Sequence, residues 1–391
     1  MSAKPSPGAR VDDAIAKANA ALTEWVPVVQ AAPAYDLKTL VHDVRVAWVV
    51  EGLIQAAKVG ALVAAGGTGK TTLLLCLCVC IATGRPFMGC NVQQGSSLLL
   101  TNDDPQQDLT GALALVCKAM HLTDAEYTMV QQKVRAVSLQ GIGGTKTFTT
   151  PVGGAPTATG LTEALLQAVE GINDMVLVAL DTLRQFSGGN SNDEQVIKLT
   201  IAGCTDFALK TGAAVVLPHH TGKQNFRDGI TDMYCGSGSA AIADNSRFIL
   251  LLQTATWADI EKQVERTGRE AGDPLVLRST RGSLLVKAAA PIFLHRDEYH
   301  IAAIAGKSLT RDQQLDKRDR EIIAAVRSGA QSKNAINAVV TGQKVSINKA
   351  VDELLRRDLL TLNTVTGSRS GSQNLMVSAK GAKVLDTKEV A

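Results

Sequence analysis

The sequence has no apolar run long enough to cross a membrane. Its longest strongly apolar segment, LLLCLCVCIA at 73–82, is about half of the ~20 residues that a bilayer span needs. The N-terminal MSAKPSPGAR leads into no apolar segment of the kind found in secretory signals. We therefore expect a protein that neither spans a membrane nor carries a secretory signal.

The sequence also has no Cys-x-x-Cys pair. Its seven cysteines are an odd number, and most of them lie in apolar runs, which is typical of reduced thiols in a cytoplasmic protein. Cys76, Cys78 and Cys80 follow one another at every second position, so on a helix their thiols point around the axis rather than to one face. This spacing argues against a metal site.

Net charge is low over the whole chain but unevenly distributed. The 391 residues carry a net charge of +3 and are 45% hydrophobic, and at ~150 residues per domain they predict two or three domains. Residues 306–391 hold 15 Lys and Arg against 9 Asp and Glu, or +6, which leaves −3 for residues 1–305. A basic C-terminal part favours a nucleic-acid-binding appendage, with a solvated basic face as the alternative.

Short apolar runs alternate with helical segments from residue 59 onward. We predict strands at 59–65, 96–101, 134–139, 175–180, 213–217 and 247–253. Continuous apolar strands separated by helices indicate an α/β fold with a mostly parallel sheet buried on both faces. The predicted domains are an N-terminal helical arm at 1–44 with a helix from Val11 to Trp25, a core at 45–305 and a C-terminal domain at 306–391.

The strongest motif follows the first of these strands and resembles a P-loop. Glycines let backbone amides face phosphate groups, a lysine reaches the terminal phosphates, and the following hydroxyl can hold Mg²⁺. Ala64 stands where the general motif has glycine, and a chance glycine-rich turn is the alternative. The predicted ATP-binding residues are Gly66, Gly67, Thr68, Gly69, Lys70, Thr71 and Thr72.

Two acidic positions follow other strands of the predicted sheet. Asp181 ends the strand MVLVALD, where a carboxylate can hold Mg²⁺ together with Thr71. Asp103 and Asp104 follow SSLLLT, which is where RecA-type ATPases place the carboxylate that activates water. We expect Asp104 with Pro105 to cap the next helix, which leaves Asp103 as the catalytic candidate.

Three glycine-rich insertions follow predicted strands, at 141–160, 187–193 and 221–239, and are candidate functional loops. The third follows His219 and His220, a polar pair at a strand end that can sense the γ-phosphate, with structural histidines as the alternative. Its Lys223 and Arg227 are candidate contacts to single-stranded DNA. Arg247 is a candidate arginine finger for the ATP of a neighbouring subunit.

In order along the chain, AAGGTGKTT, NDDP, ALDTLRQF, LPHHTGK and GSGSAAIADNSRF resemble the RepA-like hexameric replicative DNA helicases of plasmids and phages. The resemblance covers roughly residues 45–300. It implies a RecA-like P-loop ATPase core that uses ATP and Mg²⁺, works as a homohexamer on DNA, and has a primase or replication initiator as a partner.

Carried over to this chain, the resemblance places Lys70 and Thr71 on ATP and Mg²⁺, Asp181 on Mg²⁺, His219 as sensor and Arg247 as the finger in trans. The family's catalytic glutamate falls on Asp103, whose side chain is one methylene shorter. We therefore expect ATP hydrolysis that is weak without DNA.

Beyond the core, apolar positions recur at helical spacing in three segments starting near Leu315, Ala335 and Ile347, and two strand-like segments follow around GSRSGS. This order predicts a winged helix-turn-helix that binds DNA, with protein docking as the alternative. The candidate DNA-binding residues are Lys344, Asn348, Lys349, Arg356 and Arg369.

The leading interpretation is an ATP-driven DNA helicase or translocase that works as a ring. A RecA-type recombination ATPase that forms filaments is the second. A DNA-binding replication or regulatory factor that uses ATP only as a conformational switch is the third.

Overall fold

The computed structural model describes residues 26–31, 45–144, 146–190, 192–222, 232–234, 236, 240–268, 270–281, 289–308, 317–340, 343–364 and 373–386. The chain divides into two compact units, Met1–Val46 and Ala47–Ala391. In the first unit, a short helix spans Val26–Gln30. The helix predicted from Val11 to Trp25 lies outside the described residues.

The strands are, in chain order, β1 (Trp48–Val50), β2 (Ile54–Gln55), β3 (Val59–Ala64), β4 (Ser96–Thr101), β5 (Val134–Ser138), β6 (Thr149–Val152), β7 (Ala155–Ala158), β8 (Met175–Asp181), β9 (Ala214–His220), β10 (Phe248–Thr254), β11 (Val264–Arg266), β12 (Asp273–Arg281), β13 (Ile292–Arg296), β14 (Ile301–Ala303), β15 (Gly306–Ser308), β16 (Leu360–Thr364) and β17 (Gln373–Val377).

The helices are α1 (Val26–Gln30), α2 (Lys70–Thr83), α3 (Gln106–Ala119), α4 (Asp124–Lys133), α5 (Leu161–Ala168), α6 (Leu183–Ser187), α7 (Glu194–Thr211), α8 (Ala241–Asn245), α9 (Trp257–Glu261), α10 (Lys317–Arg327), α11 (Lys333–Val339), α12 (Lys344–Arg356) and α13 (Ala379–Asp386). The described residues contain no helix that is both long enough and apolar enough to cross a membrane.

A nine-stranded sheet forms the centre of the second unit, in the order β14-β13-β12-β10-β3-β9-β8-β4-β5. The six strands from β10 to β5 in this order are parallel. Each of their ends lies within three residues of the predicted one, so the predicted α/β class and mostly parallel sheet are confirmed. The antiparallel strands β12, β13 and β14 were not predicted.

Apolar layers cover both faces of this sheet. Along β3, Leu62 and Ala64 belong to the cluster around α2, α3 and α4, whereas Ala61 and Val63 belong to the cluster around α5 and α7. Because successive side chains of a strand point to opposite faces, a strand with helices on both sides needs apolar residues at every position. This double covering explains the continuous apolar runs of the sequence.

Helix α2 is buried on all sides. Every residue from Leu73 to Ala82 is buried, including Cys76, Cys78 and Cys80, because α2 lies between the sheet and helices α3 and α4. A helix that is apolar around its whole circumference is typical of this position. Burial raises the pKa of the three thiols to about 12, 11 and 12 respectively.

The insertion at 141–160 contains a hairpin that the sequence analysis did not predict. Strands β6 and β7 pair antiparallel, and the preceding Phe148 is 3% exposed within the apolar cluster around α7. The Phe148 amide donates to the Phe186 carbonyl oxygen at 2.7 Å. A buried aromatic ring therefore anchors an otherwise polar segment.

The C-terminal elements form their own apolar cluster. Helices α10, α11 and α12 match the three predicted helices, and β16 pairs antiparallel with β17. Ile322, Ile336, Val351 and Leu354 are buried in this cluster as predicted. Val339, which the helical spacing placed on the apolar face, is instead 66% exposed because α11 ends there.

Strand β3 allows one sharp test of the packing. A Cβ on Gly60 would lie 2.2 Å from ring carbons of Phe248, whereas a Cβ on Gly111 of α3 would meet no described atom within 4 Å. We expect Gly60→Ala to lower the melting temperature, because the Phe248 ring must move within a packed core. Gly111→Ala should raise it, since alanine favours helix by up to about 1 kcal/mol. Thermal unfolding of both variants checks this, and an unchanged Gly60→Ala would contradict the packing.

Candidate functional site

The residues predicted to bind ATP and Mg²⁺ meet at one edge of the sheet. Strands β3, β9, β8 and β4 are parallel neighbours, so their carboxyl ends share an edge, which is where open α/β sheets bind ligands. The glycine-rich loop follows β3, Asp103 follows β4, Asp181 ends β8 and His220 ends β9.

The glycine-rich loop has the backbone that its sequence predicts. Gly67 and Gly69 have φ angles of 74° and 101°, a region that glycine enters without steric cost. A Cβ on Gly66 or Gly67 would meet no described atom within 4 Å, so their backbone borders open space. The loop ends where α2 begins at Lys70, and the amides of a helix N-terminus favour anions. This arrangement suits phosphate groups.

The Lys70 ammonium group donates to three acceptors of the chain itself. Its Nζ lies 3.2 Å from the Ala64 carbonyl oxygen, 3.2 Å from that of Ala65 and 3.3 Å from His220 Nδ1. Since an ammonium group only donates, His220 Nδ1 accepts in this contact. Burial lowers the pKa of Lys70, while the carboxylates of Asp181 and Asp103 partly oppose this shift.

Thr71 and Asp181 are joined directly. The Thr71 hydroxyl donates to Asp181 Oδ2 at 2.8 Å, and Asp181 is only 2% exposed. Burial, with a smaller contribution from the negative charge of Asp103, raises the pKa of Asp181 to about 6, although the hydrogen bond from Thr71 lowers it.

These two oxygen ligands fit Mg²⁺. In nucleotide sites Mg²⁺ is held by one or two protein side chains together with phosphate oxygens and water. The described residues contain no group of three or more His, Cys, Asp or Glu side chains that could hold a metal alone. Thr71 and Asp181 therefore suit a metal ion that arrives with a nucleotide.

Asp103 is exposed next to this pair and is oriented by a residue of α6. Gln185 Nε2 donates to Asp103 Oδ1 at 3.0 Å. The Asp103 amide donates to the Thr101 hydroxyl oxygen at 3.2 Å. Asp104 does not cap α3 as predicted: Pro105 occupies the cap position, and the Asp104 carbonyl accepts from the Ser138 hydroxyl at 2.6 Å.

The two histidines at the end of β9 have different surroundings. His219, the predicted sensor, is 3% exposed, and a Cβ on Gly236 would lie 3.1 Å from its Cδ2. His220, which the sequence analysis did not select, contacts Lys70. Burial and the positive charge of Lys70 lower the pKa of His220. His220 thus borders the phosphate loop, while His219 packs beside Gly236.

Arg247 lies at the opposite edge of the sheet. Its backbone amide donates to the Val59 carbonyl oxygen at 2.7 Å, at the start of β3, while the glycine-rich loop follows the end of β3. The length of β3 puts about 16 Å between these two positions. The exposed Arg247 side chain therefore cannot reach the phosphate loop of its own chain.

The candidate DNA contacts are only partly described. Lys223, Arg227 and Arg369 lie outside the described residues. On α12, Lys344 and Lys349 are exposed. Arg356 pairs with Glu353 at 2.8 Å, and Asn348 accepts from Asn337 at 2.8 Å.

The sequence analysis missed three residues of the site: His220, Gln185 and Arg296. Arg296, at the end of β13, donates from Nη1 to the Gly67 carbonyl oxygen at 2.6 Å. The ALDTLRQF motif contained Gln185 and the HH pair contained His220, so the motifs marked both neighbourhoods. No sequence signal marked Arg296, because antiparallel pairing brings it to the loop.

Residues 33–225 match the family described as "AAA domain". The match includes the glycine-rich loop, Asp103, Asp181 and both histidines. Together with the geometry above, this match supports an ATP-hydrolysing P-loop core in this segment.

Two solved structures are similar to this chain at low sequence identity. One, the ATPase domain of another protein, has 9% identity and a TM-score of 0.44, and the similarity covers 63% of this chain and 84% of that chain. The other, "Crystal structure of the RadB recombinase", has 11% identity and a TM-score of 0.42, covering 64% and 92%. Because both TM-scores lie below 0.5, neither similarity bears on what this chain does.

The raised pKa of Asp181 predicts a pH-dependent stability. Between about pH 4 and about pH 6 the unfolded chain binds fewer protons at this carboxyl than the folded one, so its contribution to stability falls as pH rises through that window. Without nucleotide and magnesium, Asp181→Asn should therefore raise the melting temperature more at pH 7.5 than at pH 4.5. Asp206→Asn, at a half-exposed carboxylate of α7, is the control. If Asp181→Asn changed the melting temperature equally at both pH values, the raised pKa of Asp181 would be contradicted.

Asp103 and Asp104 provide a matched pair for testing catalysis. Asp103→Asn should lower kcat for ATP hydrolysis by roughly 10²–10⁴-fold, because a general base is lost, while the affinity for ATP stays within a few-fold. Gln185→Ala should lower kcat less, since it only orients Asp103. Asp104→Asn should hydrolyse ATP at the rate of the wild type. Steady-state kinetics checks these values, and a fully active Asp103→Asn would refute the assignment.

Proposed function

We propose that this chain is an ATP-dependent DNA helicase or translocase that acts in the cytoplasm as a ring-shaped oligomer in plasmid or phage DNA replication. The P-loop ATPase core supplies the nucleotide site. The motif order supports the RecA-like, RepA-like hexameric class, with single-stranded DNA in the central channel and a primase or replication initiator as a partner.

The position of Arg247 is the observation that carries this proposal. A P-loop ATPase gains much of its rate from an arginine that stabilises charge on the transferred phosphoryl group. Arg247 is exposed and lies about 16 Å along β3 from its own phosphate loop. If it acts as the finger, the complete site needs two subunits, and repeating that contact generates a ring or a filament.

Residues of this chain would divide the hydrolysis between them. Bound with ATP, Mg²⁺ would be held by Thr71 and Asp181 and would neutralise phosphate charge. Lys70 would exchange its backbone acceptors for phosphate oxygens. Asp103, oriented by Gln185, would accept the proton of the attacking water at its carboxylate.

The paired histidines offer a route from the nucleotide to DNA. His220 contacts Lys70, and His219, the next residue, packs beside Gly236. The segment between them and Gly236 contains Lys223 and Arg227, which we propose as contacts to the backbone of single-stranded DNA. A change of the phosphate group at Lys70 would reach this segment through His220 and His219.

We propose that residues 306–391 form a winged helix-turn-helix domain that binds duplex DNA. Exposed Lys344 and Lys349 on α12 support this role, as does the net charge of +6. Asp352 on the same helix is paired with Lys333 at 2.5 Å, so its charge is balanced within the domain. Asn348, Arg356 and Arg369 complete the proposed surface.

Two other functions share this site. A RecA-type recombination ATPase would use the same core and the same finger in filaments. An ATP-switched DNA-binding factor is favoured by one observation: Asp103 is exposed and carries a shorter side chain than the glutamate of the helicase family. Slow hydrolysis would suit a switch better than a motor.

Strand displacement separates these functions. We expect the wild type to displace a labelled strand from a forked duplex with ATP and Mg²⁺. Lys70→Ala should fail to do so while retaining its fold by circular dichroism. Binding of DNA with ATP but no strand separation by the wild type would support the switch, and open filaments rather than closed rings in electron micrographs would support the recombination ATPase.

A mixing experiment tests the shared site. Lys70→Ala and Arg247→Ala should each be inactive alone, the first in its own site and the second in the site of its neighbour. Mixed oligomers contain some interfaces with an intact loop and an intact finger. ATP hydrolysis by the mixture should therefore exceed the sum of the two variants. A finger in trans would be refuted if Arg247→Ala alone hydrolysed ATP, or if the rate of the mixture equalled the sum of the rates of the two variants.

A further inference from the structure

We propose that Arg296 is a positioning residue of the phosphate site, and that Asp273 holds it in place. The guanidinium group fixes the Gly67 carbonyl and thereby aims the Thr68 amide into the loop. This inference rests on the proposed nucleotide site, and it concerns a residue outside the matched segment 33–225.

The Arg296 side chain bridges two elements. Nη1 donates to the Gly67 carbonyl oxygen at 2.6 Å, and Nη2 donates to Asp273 Oδ2 at 2.5 Å. Arg296 ends β13 and Asp273 begins β12, where the two are direct cross-strand partners. The planar guanidinium group donates from fixed directions, so pairing with Asp273 determines which way Nη1 points.

The contact between Arg296 and the Gly67 carbonyl also sets the direction of the Thr68 amide. In a trans peptide the carbonyl and the following amide point in opposite directions. With the Gly67 carbonyl held outward by Arg296, the Thr68 amide points across the loop, where it donates to the Ala65 carbonyl oxygen at 3.4 Å. This long hydrogen bond leaves an amide that a phosphate oxygen can readily take over, as in other anion-binding loops.

Close packing holds Arg296 in this position. A Cβ on Gly69 would lie 3.3 Å from Arg296 Cδ and 3.1 Å from Ile301 Cδ1. On the other side, a Cβ on Gly272 would lie 2.2 Å from the Arg296 carbonyl oxygen. Glycines at 69 and 272, with φ angles of 101° and 96°, therefore let the end of β13 lie directly against the phosphate loop. The Arg296 side chain is 29% exposed, so it is held against the loop without being fully buried.

Positioning and simple attraction predict opposite effects at Asp273. If Arg296 acts by orientation, Asp273→Asn weakens its alignment and lowers nucleotide affinity. If Arg296 acts only through its positive charge, Asp273→Asn removes a nearby negative charge and raises the affinity for an anionic ligand. Arg296→Lys also separates the two cases, since a lysine keeps the charge but lacks the planar guanidinium group whose two nitrogens donate in fixed directions.

The experiment measures binding of ADP and of a non-hydrolysable ATP analogue to the full chain by titration calorimetry. We expect Arg296→Ala and Arg296→Lys to weaken both by roughly 10-fold, as loss of a charge-assisted hydrogen bond predicts, and Asp273→Asn to weaken both by about 3-fold. In steady-state hydrolysis KM should rise while kcat stays within about 2-fold, since Arg296 does not contact the reacting atoms.

Arg85→Ala is the matched control. Arg85 makes a two-pronged contact to Glu126 at 2.6 and 2.7 Å, beyond the far end of α2 and about 20 Å from Lys70. The Arg85→Ala variant should have a lower melting temperature and an unchanged affinity for nucleotide. If Arg296→Ala unfolds, Arg296→Lys and Asp273→Asn carry the test.

The inference is overturned if Arg296→Lys binds nucleotide as the wild type does, or if Asp273→Asn binds more tightly. Lys70→Ala distinguishes these failures from a failure of the proposed function. Nucleotide binding by Lys70→Ala at wild-type affinity would reject the phosphate site itself. Loss of binding in Lys70→Ala with unchanged Arg296 and Asp273 variants would reject only the role of Arg296.

Discussion

The hydrogen bond from Thr71 to Asp181 is the contact on which the site depends. It joins the first turn of α2 to the end of β8, two positions that are distant in sequence and become neighbours only in the parallel sheet. It satisfies a carboxylate that is 2% exposed, and an unpaired buried carboxylate would be costly. Its two oxygen atoms are also the ones that suit Mg²⁺, so a bound metal ion would take the place of this hydrogen bond.

Lys70 would likewise give up hydrogen bonds within the chain when a nucleotide binds. All three donors of its ammonium group have acceptors within the chain, so phosphate oxygens must compete with two carbonyls and His220. The measured affinity for a nucleotide would then be a difference between two sets of hydrogen bonds. Burial already lowers the pKa of Lys70, and an anionic ligand would favour its charged form.

The elements that local sequence determines were predictable. Six parallel strands, three C-terminal helices and the phosphate loop follow from apolar runs, helical spacing and glycine placement. Within the site, the motifs led to Lys70, Thr71, Asp181 and Asp103, which the structure brings to one edge. The roles of these residues remain predictions until they are tested.

The features that the sequence did not reveal depend on which elements pack beside each other in the folded chain. Arg296 reaches Gly67 only because β12 and β13 are added antiparallel beyond β10, and no pattern within β13 indicates that partner. The choice between His219 and His220 depends on which face of β9 borders Lys70, which a pair of identical residues cannot show. Val339 follows the helical period but lies where α11 ends, so the spacing alone misplaced it.

The burial of α2 gives the protein an internal reporter of its own opening. Cys76, Cys78 and Cys80 are at most 3% exposed, and alkylating reagents attack thiolates that they can reach. Modification of these three thiols would therefore require the helix behind the phosphate loop to leave the sheet. The rate of that modification would follow the opening of the core in the native protein, without any engineered label.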